Sequence, residues 1–498
     1  FTKTDHNGYY QFELNPKARF VWVVIPSAYE IPLSASGNPL FYKTVDPSLE
    51  VNVNDFTLTP LAEGVDRNKF QMVMIGDPQC STNTEVGYYS SQTINDIKTF
   101  LNGKGYFNSF AVTLGDNTFD SNDTYPGLAS SMSYVKLSDV DFLPFVKAMG
   151  NHDHNGLASI DDCTKMYESY FGPTDFSFDR GNAHIIVMDD VFVTSTLTKS
   201  TSRSNKITCE YTYGFTEDEW KWIQEDIANV ENPEDKLLIF CAHIPFRSYT
   251  TNHISDLLRA FTLFKEAHIM TGHSHYSQNW IHKNYVCAGG KAIYEHVHST
   301  ACGAWWATSG VRGSDVIGGP RGYSVYHVDG NKIVDWIMKG TGQDENFQLR
   351  VYDGNQEYTG AKNYPTYWYK TTTCGTAGIS IKGNSNLKDC FVAQVWDDDD
   401  QYWTVELYQN GTKVGNFKRL ANSSCANAAV CGWWFNEKGK NSTSYSSTYS
   451  SHYWYYKHTS LPTETTGWEV RATHKFPNGG SKTFTCNSLT PDYKTFYK

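Results

Sequence analysis

Five times between residues 70 and 275 the chain passes through a short apolar run and then sets down a residue able to ligate a metal or move a proton. Asp77 and Gln79 follow Phe70–Ile75, Asp116 follows Phe110–Leu114, and Asn151, His152 and Asp153 follow Phe142–Met149. His243 follows Leu237–Cys241, and His273 and His275 follow His268–Met270. Apolar runs of strand length separated by helix-length segments predict an α/β sheet. Such sheets gather functional groups in the crevice beyond the carboxyl ends of their strands, so residues far apart in sequence are expected to converge. Gly76, Gly115, Gly150 and Gly272 stand just before the polar residues, as expected where the chain turns tightly and backbone approaches the site closely.

The converging set offers the carboxylates of Asp77 and Asp116, the amide oxygens of Gln79 and Asn151, and the imidazoles of His243, His273 and His275. If one carboxylate bridges, these suffice for two cations. Mixed imidazole and carboxylate ligation suits Mn, Zn or Fe, whereas an oxygen-only shell suits Mg. Two divalent ions about 3.5–4 Å apart lower the pKa of a shared water and clamp the oxygens of an in-line displacement at phosphorus. A single histidine at a strand end is more often a hydrogen-bonded structural residue, so the expectation rests on the set. His184, His296 and His298 lack a role in it and are read as structural, and Cys80 and Cys241 as buried small hydrophobes.

Outside this region the pattern changes. Thr4 to Ser48 reads as a small β unit, and from about Gly340 onward aromatic alternation between Gly, Asn and Ser clusters predicts a C-terminal β-sandwich. The expected modules are 1–55, 56–345 and 346–498, in keeping with about three domains for 498 residues. Thr216 with Glu219 three residues on predicts a capped helix whose Trp220, Ile223 and Ile227 share a face. The acidic run Asp397–Asp400 is read as a solvated hairpin tip, and the Tyr- and Ser-rich stretch 444–458 as loop or strand edge in preference to a carbohydrate-binding surface. An aromatic content of 15% excludes a disordered chain. A net charge of -11 argues against a surface for nucleic-acid polymers, so a small phosphate substrate would need cations in its site. No apolar run is long enough to cross a bilayer. Eleven cysteines, an odd number without a CxxC pair, exclude a closed disulfide framework and do not support a zinc ribbon. The start at Phe1 rather than Met is read as the mark of a removed or trimmed segment.

In order, Gly-Asp77-Pro-Gln79, Gly-Asp116-Asn, Gly-Asn151-His152-Asp153, His243-Ile-Pro and Gly-His273-Ser-His275 resemble the calcineurin-like metallophosphoesterase family. Phe171-Gly-Pro-Thr-Asp-Phe-Ser-Phe178, Gly181-Asn-Ala-His184 and Gly303-Ala-Trp-Trp306 look like a secreted bacterial branch with β modules at both ends. The resemblance implies an α/β fold with a β-sandwich core flanked by helices, small all-β domains at both termini, and an exported location. It implies that Asp77, Gln79, Asp116 and His275 hold one divalent ion and Asp116, Asn151, His243 and His273 a second, with Asp116 bridging. His152 would then protonate the leaving alkoxide or contact the phosphate, Asp153 would orient its imidazole, and a metal-bridging hydroxide would attack a phosphomonoester or phosphodiester. The substrate would be a phosphorylated small molecule, glycan or lipid head group. Gln79 stands where the family most often has His, which leaves metal identity among Mn, Zn, Fe and Mg open. Two other readings stand beside this one: a nucleotide-diphosphate-type pyrophosphatase, and a glycan-binding surface protein on a decayed catalytic core.

Overall fold

In the computed structural model the described residues are all except 105–107, 138–141, 200–206, 249–252, 307–312, 360–361, 375–377, 422–424, 437–451, 459–466 and 492–498. The apolar runs become the strands of two six-stranded mixed sheets. In the first, Lys69–Ile75, Phe110–Leu114 and Phe142–Ala148 run parallel, flanked by antiparallel Gly322–Asp329 and Lys332–Gly340 on one side and Tyr134–Lys136 on the other. In the second, Ala183–Val187, Leu237–Cys241, Glu266–Thr271 and Ala292–Val297 run parallel, with Phe176–Arg180 and Gln278–Val286 as antiparallel edges.

These strands read as unbroken apolar runs because both their faces are covered. Met72, Met74, Val112 and Leu114 of the first sheet meet Ile185, Ile239, Cys241 and Met270 of the second across the sandwich interior. The alternate residues Val73, Ile75 and Ala111 turn outward onto Tyr89, Ile97 and Leu128 of the helical segments. On the second sheet Ile186, Phe240 and Ile269 pack on Trp220, Ile223, Leu257 and Phe261. Helix Glu217–Asn229 carries the expected capping box, Thr216 and Glu219 each accepting from the other's backbone N–H.

All-β regions flank this core. Near the N-terminus the regular structure is one short strand pair, Phe20–Trp22 with Tyr42–Thr44. After Gly340 two four-stranded sheets form, centred on Cys390–Val395 and Trp403–Gln409. Between their strands lies a helix, Ala428–Asn436, that the sequence reading misses: every residue in it is buried, so no amphipathic period marks it. Tyr453–Lys457 forms a strand inside the first of these sheets, whereas 444–451 lie outside the described residues.

The acidic run is not a solvated tip. Asp397, Asp398 and Asp399 are buried and only Asp400 is exposed. Each buried carboxylate has its own donors: Asn279 and Trp336 for Asp397, Arg419, His452 and Trp454 for Asp398, Tyr294 and two backbone N–H groups for Asp399. A polar sequence run reveals charge and not the partners that let charge be buried.

Candidate active site

The two sheets deliver their parallel strand ends to one crevice, and the residues singled out from the sequence meet there. His243 Nδ1 donates to the Leu114 carbonyl at 2.7 Å, which turns Nε2 toward Asp116 Oδ1 at 3.3 Å, Asn151 Oδ1 at 3.1 Å and His273 Nδ1 at 3.1 Å. Asp116, His243 and His273 place one ligand atom each within 4.8 Å of one another. On the other side of Asp116, Gln79 Nε2 donates to Asp116 Oδ2 at 3.1 Å. His275 Nδ1 lies 3.0 Å from the Ala304 carbonyl, leaving its Nε2 3.7 Å from Asp77 Oδ1. In both His243 and His275 a backbone carbonyl fixes the tautomer and presents the other ring nitrogen inward.

The backbone is strained where it makes this cluster. Asp77, Gln79, Asp116, His273 and His275 all adopt left-handed φ, from 40° to 66°. Such a conformation costs on the order of 1–3 kcal/mol per non-glycine residue and concentrates at functional sites. The close approaches expected of the glycines are present: a Cβ on Gly150 would lie 2.2 Å from the Asp116 nitrogen, and one on Gly115 2.6 Å from His243 Nδ1.

Electrostatics follow from enclosing several acids in little space. Burial raises Asp77 to about 7, helped by the charge of Asp116 and opposed by His243. Burial works against the Asp116 carboxylate too, but His243 and His152 outweigh it and hold Asp116 well below the usual range. His243 shows the converse: burial pulls it down, and Asp116 and Asp77 push it up to about 10. His273 and His275 fall to about 3 and 4, chiefly by burial, with the charge of His243 adding to both, so their ring lone pairs are available.

His152 stands at the rim, partly exposed, with its backbone N–H on Asp116 Oδ1 at 2.9 Å and its ring edge-on to Phe119. Its Nδ1 pairs with Asp120 Oδ1 at 2.7 Å, not with Asp153. Asp153 is committed elsewhere: its carboxylate accepts from the backbone of Gly150, Asn117 and Thr118 and from the Asn117 amide, which ties two strand-end loops together. The expectation that Asp153 orients His152 is therefore corrected to Asp120. Adjacency in sequence suggested Asp153, but a buried carboxylate is claimed first by nearby N–H donors. Two further contributors were missed. Asp190 accepts from the backbone of His243 and Ile244, and Tyr211, on the hairpin of Val191–Lys199 and Ile207–Tyr213, lies close enough to feel Asp116, Asp120 and Asp190.

His184, His296 and His298 stay out of the cluster, as expected. His184 pairs with Asp179 and Asp226, His296 with His268, and His298 with the Thr271 carbonyl and Tyr326. All eleven cysteines are free thiols, and Cys80 and Cys241 are buried.

A two-sheet α/β sandwich that brings imidazole, carboxylate and amide donors together at the ends of its parallel strands defines a site with the ligand types that hold divalent metal. A family model described as Calcineurin-like phosphoesterase matches residues 71–277, and models for the N terminal and C terminal of Calcineurin-like phosphoesterase match 1–61 and 295–479. The chain belongs to the calcineurin-like phosphoesterase family, whose members carry out metal-dependent phosphoester hydrolysis. No curated protein matches it significantly.

Proposed function

We propose that this chain hydrolyses a phosphomonoester or phosphodiester at a dinuclear centre, with Asp77, Gln79, Asp116 and His275 around one divalent ion and Asp116, Asn151, His243 and His273 around the other. The observation that carries this reading is the crowding at His243 Nε2. One ring nitrogen that holds at most one proton faces Asp116 Oδ1, Asn151 Oδ1 and His273 Nδ1, all within 3.3 Å. A cation at that point would satisfy all four groups at once. Asp77 Oδ1 adds to the argument, since it is buried with no hydrogen-bond partner and faces His275. The donor set, imidazole with carboxylate and amide oxygen, fits Mn, Zn or Fe, with Mg admitted by Gln79 and Asn151.

When bound, two such ions supply charge to the phosphoryl oxygens and lower the pKa of a water near phosphorus. The protein's own part is positioning and proton transfer. His152, whose Nδ1 pairs with Asp120, donates a proton to the leaving oxygen. Asp116 and His273 present their ligand atoms without rearrangement, because strained backbone and surrounding glycines fix them. Residues 56–345 are assigned as the catalytic module, with all-β modules at 1–55 and 346–498, and the resemblance to a secreted branch supports export.

The test measures bound metal by mass spectrometry and turnover of p-nitrophenyl phosphate and bis-p-nitrophenyl phosphate, for wild type and Asp116→Asn. Wild type should bind close to two divalent ions and turn over at least one ester. Asp116→Asn should lose metal and at least about a thousandfold in kcat, as removal of a bridging ligand implies. A wild type without stoichiometric metal under every loading condition would sink the dinuclear assignment. Inactivity on every phosphate ester with Mn, Zn, Fe and Mg present would sink the catalytic one.

A further inference from the structure

A cavity of about 420 Å³ lies away from the proposed ligands, along the open edge of the second sheet. Its volume falls in the range of small-molecule sites, roughly 300–1,000 Å³. The edge strand Gln278–Val286 forms most of the wall, and Asp400 and Arg419 from the C-terminal region close it. Three features of the lining together restrict what fits.

The first is an exposed indole. Trp280 is 41% exposed on an edge strand of which only Asn279 and Ile281 are buried, and it offers a flat apolar surface to solvent. The second is a set of polar side chains free for a ligand: among the described residues, the side-chain amides of Gln278 and Asn284 and the Trp280 indole N–H bond no other protein group. The third is charge balance. Lys283 Nζ is 2.8 Å from Asp400 and Arg419 Nε is 2.8 Å from Asp398. Lys283 and Arg419, the cations beside the groove, each already have a carboxylate, so the site has no net attraction for an anion.

A sugar ring matches all three. One of its faces is a patch of C–H groups that packs on the negative π face of an indole. Its hydroxyls both donate and accept, as amide side chains do, and it carries no charge. We propose that this groove is a binding site for a neutral glycan, stacked on Trp280 and hydrogen-bonded by Gln278, Asn284 and the Lys283–Asp400 pair. An added peptide strand is disfavoured, because the ladder is irregular between His282 and Val286 and Lys283 lies on the edge. Gln278 follows His275 by three residues, at most about 11 Å of extended chain, so a glycan held here lies beside the catalytic crevice. Binding at this groove stands apart from the phosphoesterase reading and is tested without it.

The full chain is run through native gels containing mannan, galactan or β-glucan, and binding of the corresponding neutral oligosaccharides is measured by calorimetry. At least one neutral polysaccharide should retard the wild type. Trp280→Ala should lower affinity tenfold or more, Trp280→Phe should restore part of it, and p-nitrophenyl phosphate turnover should be the same in all three. Absence of retardation by every neutral polymer overturns the proposal. So does retardation that Trp280→Ala leaves intact, or retardation only by sulfated or uronic-acid polymers, which would make the groove an anion site.

Discussion

His152 is the one member of the cluster whose proposed work is proton transfer, and the contacts that set its position include its backbone N–H on Asp116, its Nδ1 on Asp120, its carbonyl under the Asp120 backbone N–H and its ring against Phe119. A proton donor matters in proportion to how badly the leaving group needs one. His152→Ala should therefore cost about 10²–10⁴-fold in kcat on an alkyl phosphate, and far less on p-nitrophenyl phosphate, whose leaving group departs unprotonated. Asp120→Asn should fall between, at about 10–100-fold, because it disturbs only the partner of the ring. Equal losses on both substrates would show His152 acting in binding instead. The ligand candidates Asp77, Gln79, Asp116, Asn151, His243, His273 and His275 were legible because each lies directly at a strand end, where chain order and geometry coincide. Asp120 and Asp190 were not, since their roles depend on which hydrogen-bond donor a folded loop brings within reach. Asp153 misled for the same reason: next to His152 in sequence, it faces the amides of Gly150, Asn117 and Thr118.

Strands and helices show the same division between what a local pattern encodes and what packing decides. Leu237–Cys241 and Phe110–Leu114 were recoverable to the residue, because a strand buried on both faces is a continuous apolar run between polar ends. Ala428–Asn436 was not, because a helix apolar all round looks like any buried segment. Helix Glu217–Asn229 is bound to its sheet by more than its apolar stripe. His184, in strand Ala183–Val187, holds Asp179 through Nδ1 at 2.8 Å and the helix's Asp226 through Nε2 at 2.9 Å. Burial pulls the His184 pKa down, but its hydrogen bonds to Asp179 and Asp226 outweigh burial and push it up to about 9. A histidine whose folded pKa lies above its unfolded value of about 6.5 stabilises the fold fully below that value, and the contribution fades as pH rises through 9. His184→Gln should accordingly be less stable than wild type by on the order of 3 kcal/mol at pH 6, with the gap closing toward pH 10. Denaturant melts across that range check it, and a pH-independent gap would mean that His184 acts through packing alone.

At the scale of the whole chain the question is whether the C-terminal β region is an appendage or part of the same folding unit. One apolar cluster runs from Val73 and Ala111 of the first sheet through Tyr323 and Val325 to Leu349, Phe391, Trp403 and Phe484. Polar contacts cross the same boundary: Trp336 and Asn279 bond Asp397, Tyr294 bonds Asp399, and Lys482 bonds Asp335. A boundary this apolar, with buried carboxylates paired across it, couples the two sides instead of hinging them. Asp398 sits beside that boundary within 2.9 Å of Arg419, His452 and Trp454, and burial alone would raise its pKa, yet Arg419 and His452 hold it low. Removing the carboxylate leaves the partly exposed Arg419 guanidinium and the buried His452 and Trp454 side chains without their acceptor, a change that costs up to about 3–5 kcal/mol. Calorimetry on the full chain should therefore show a single transition, shifted down by several degrees as one peak in Asp398→Ala. Two separable peaks, with only the later one moved by the substitution, would mean that the C-terminal region folds on its own. A single shared transition would mean that fragment 346–498 is not a stable domain, so that any glycan affinity of this chain has to be sought in the intact protein, where Trp280 and Asp400 face the same groove.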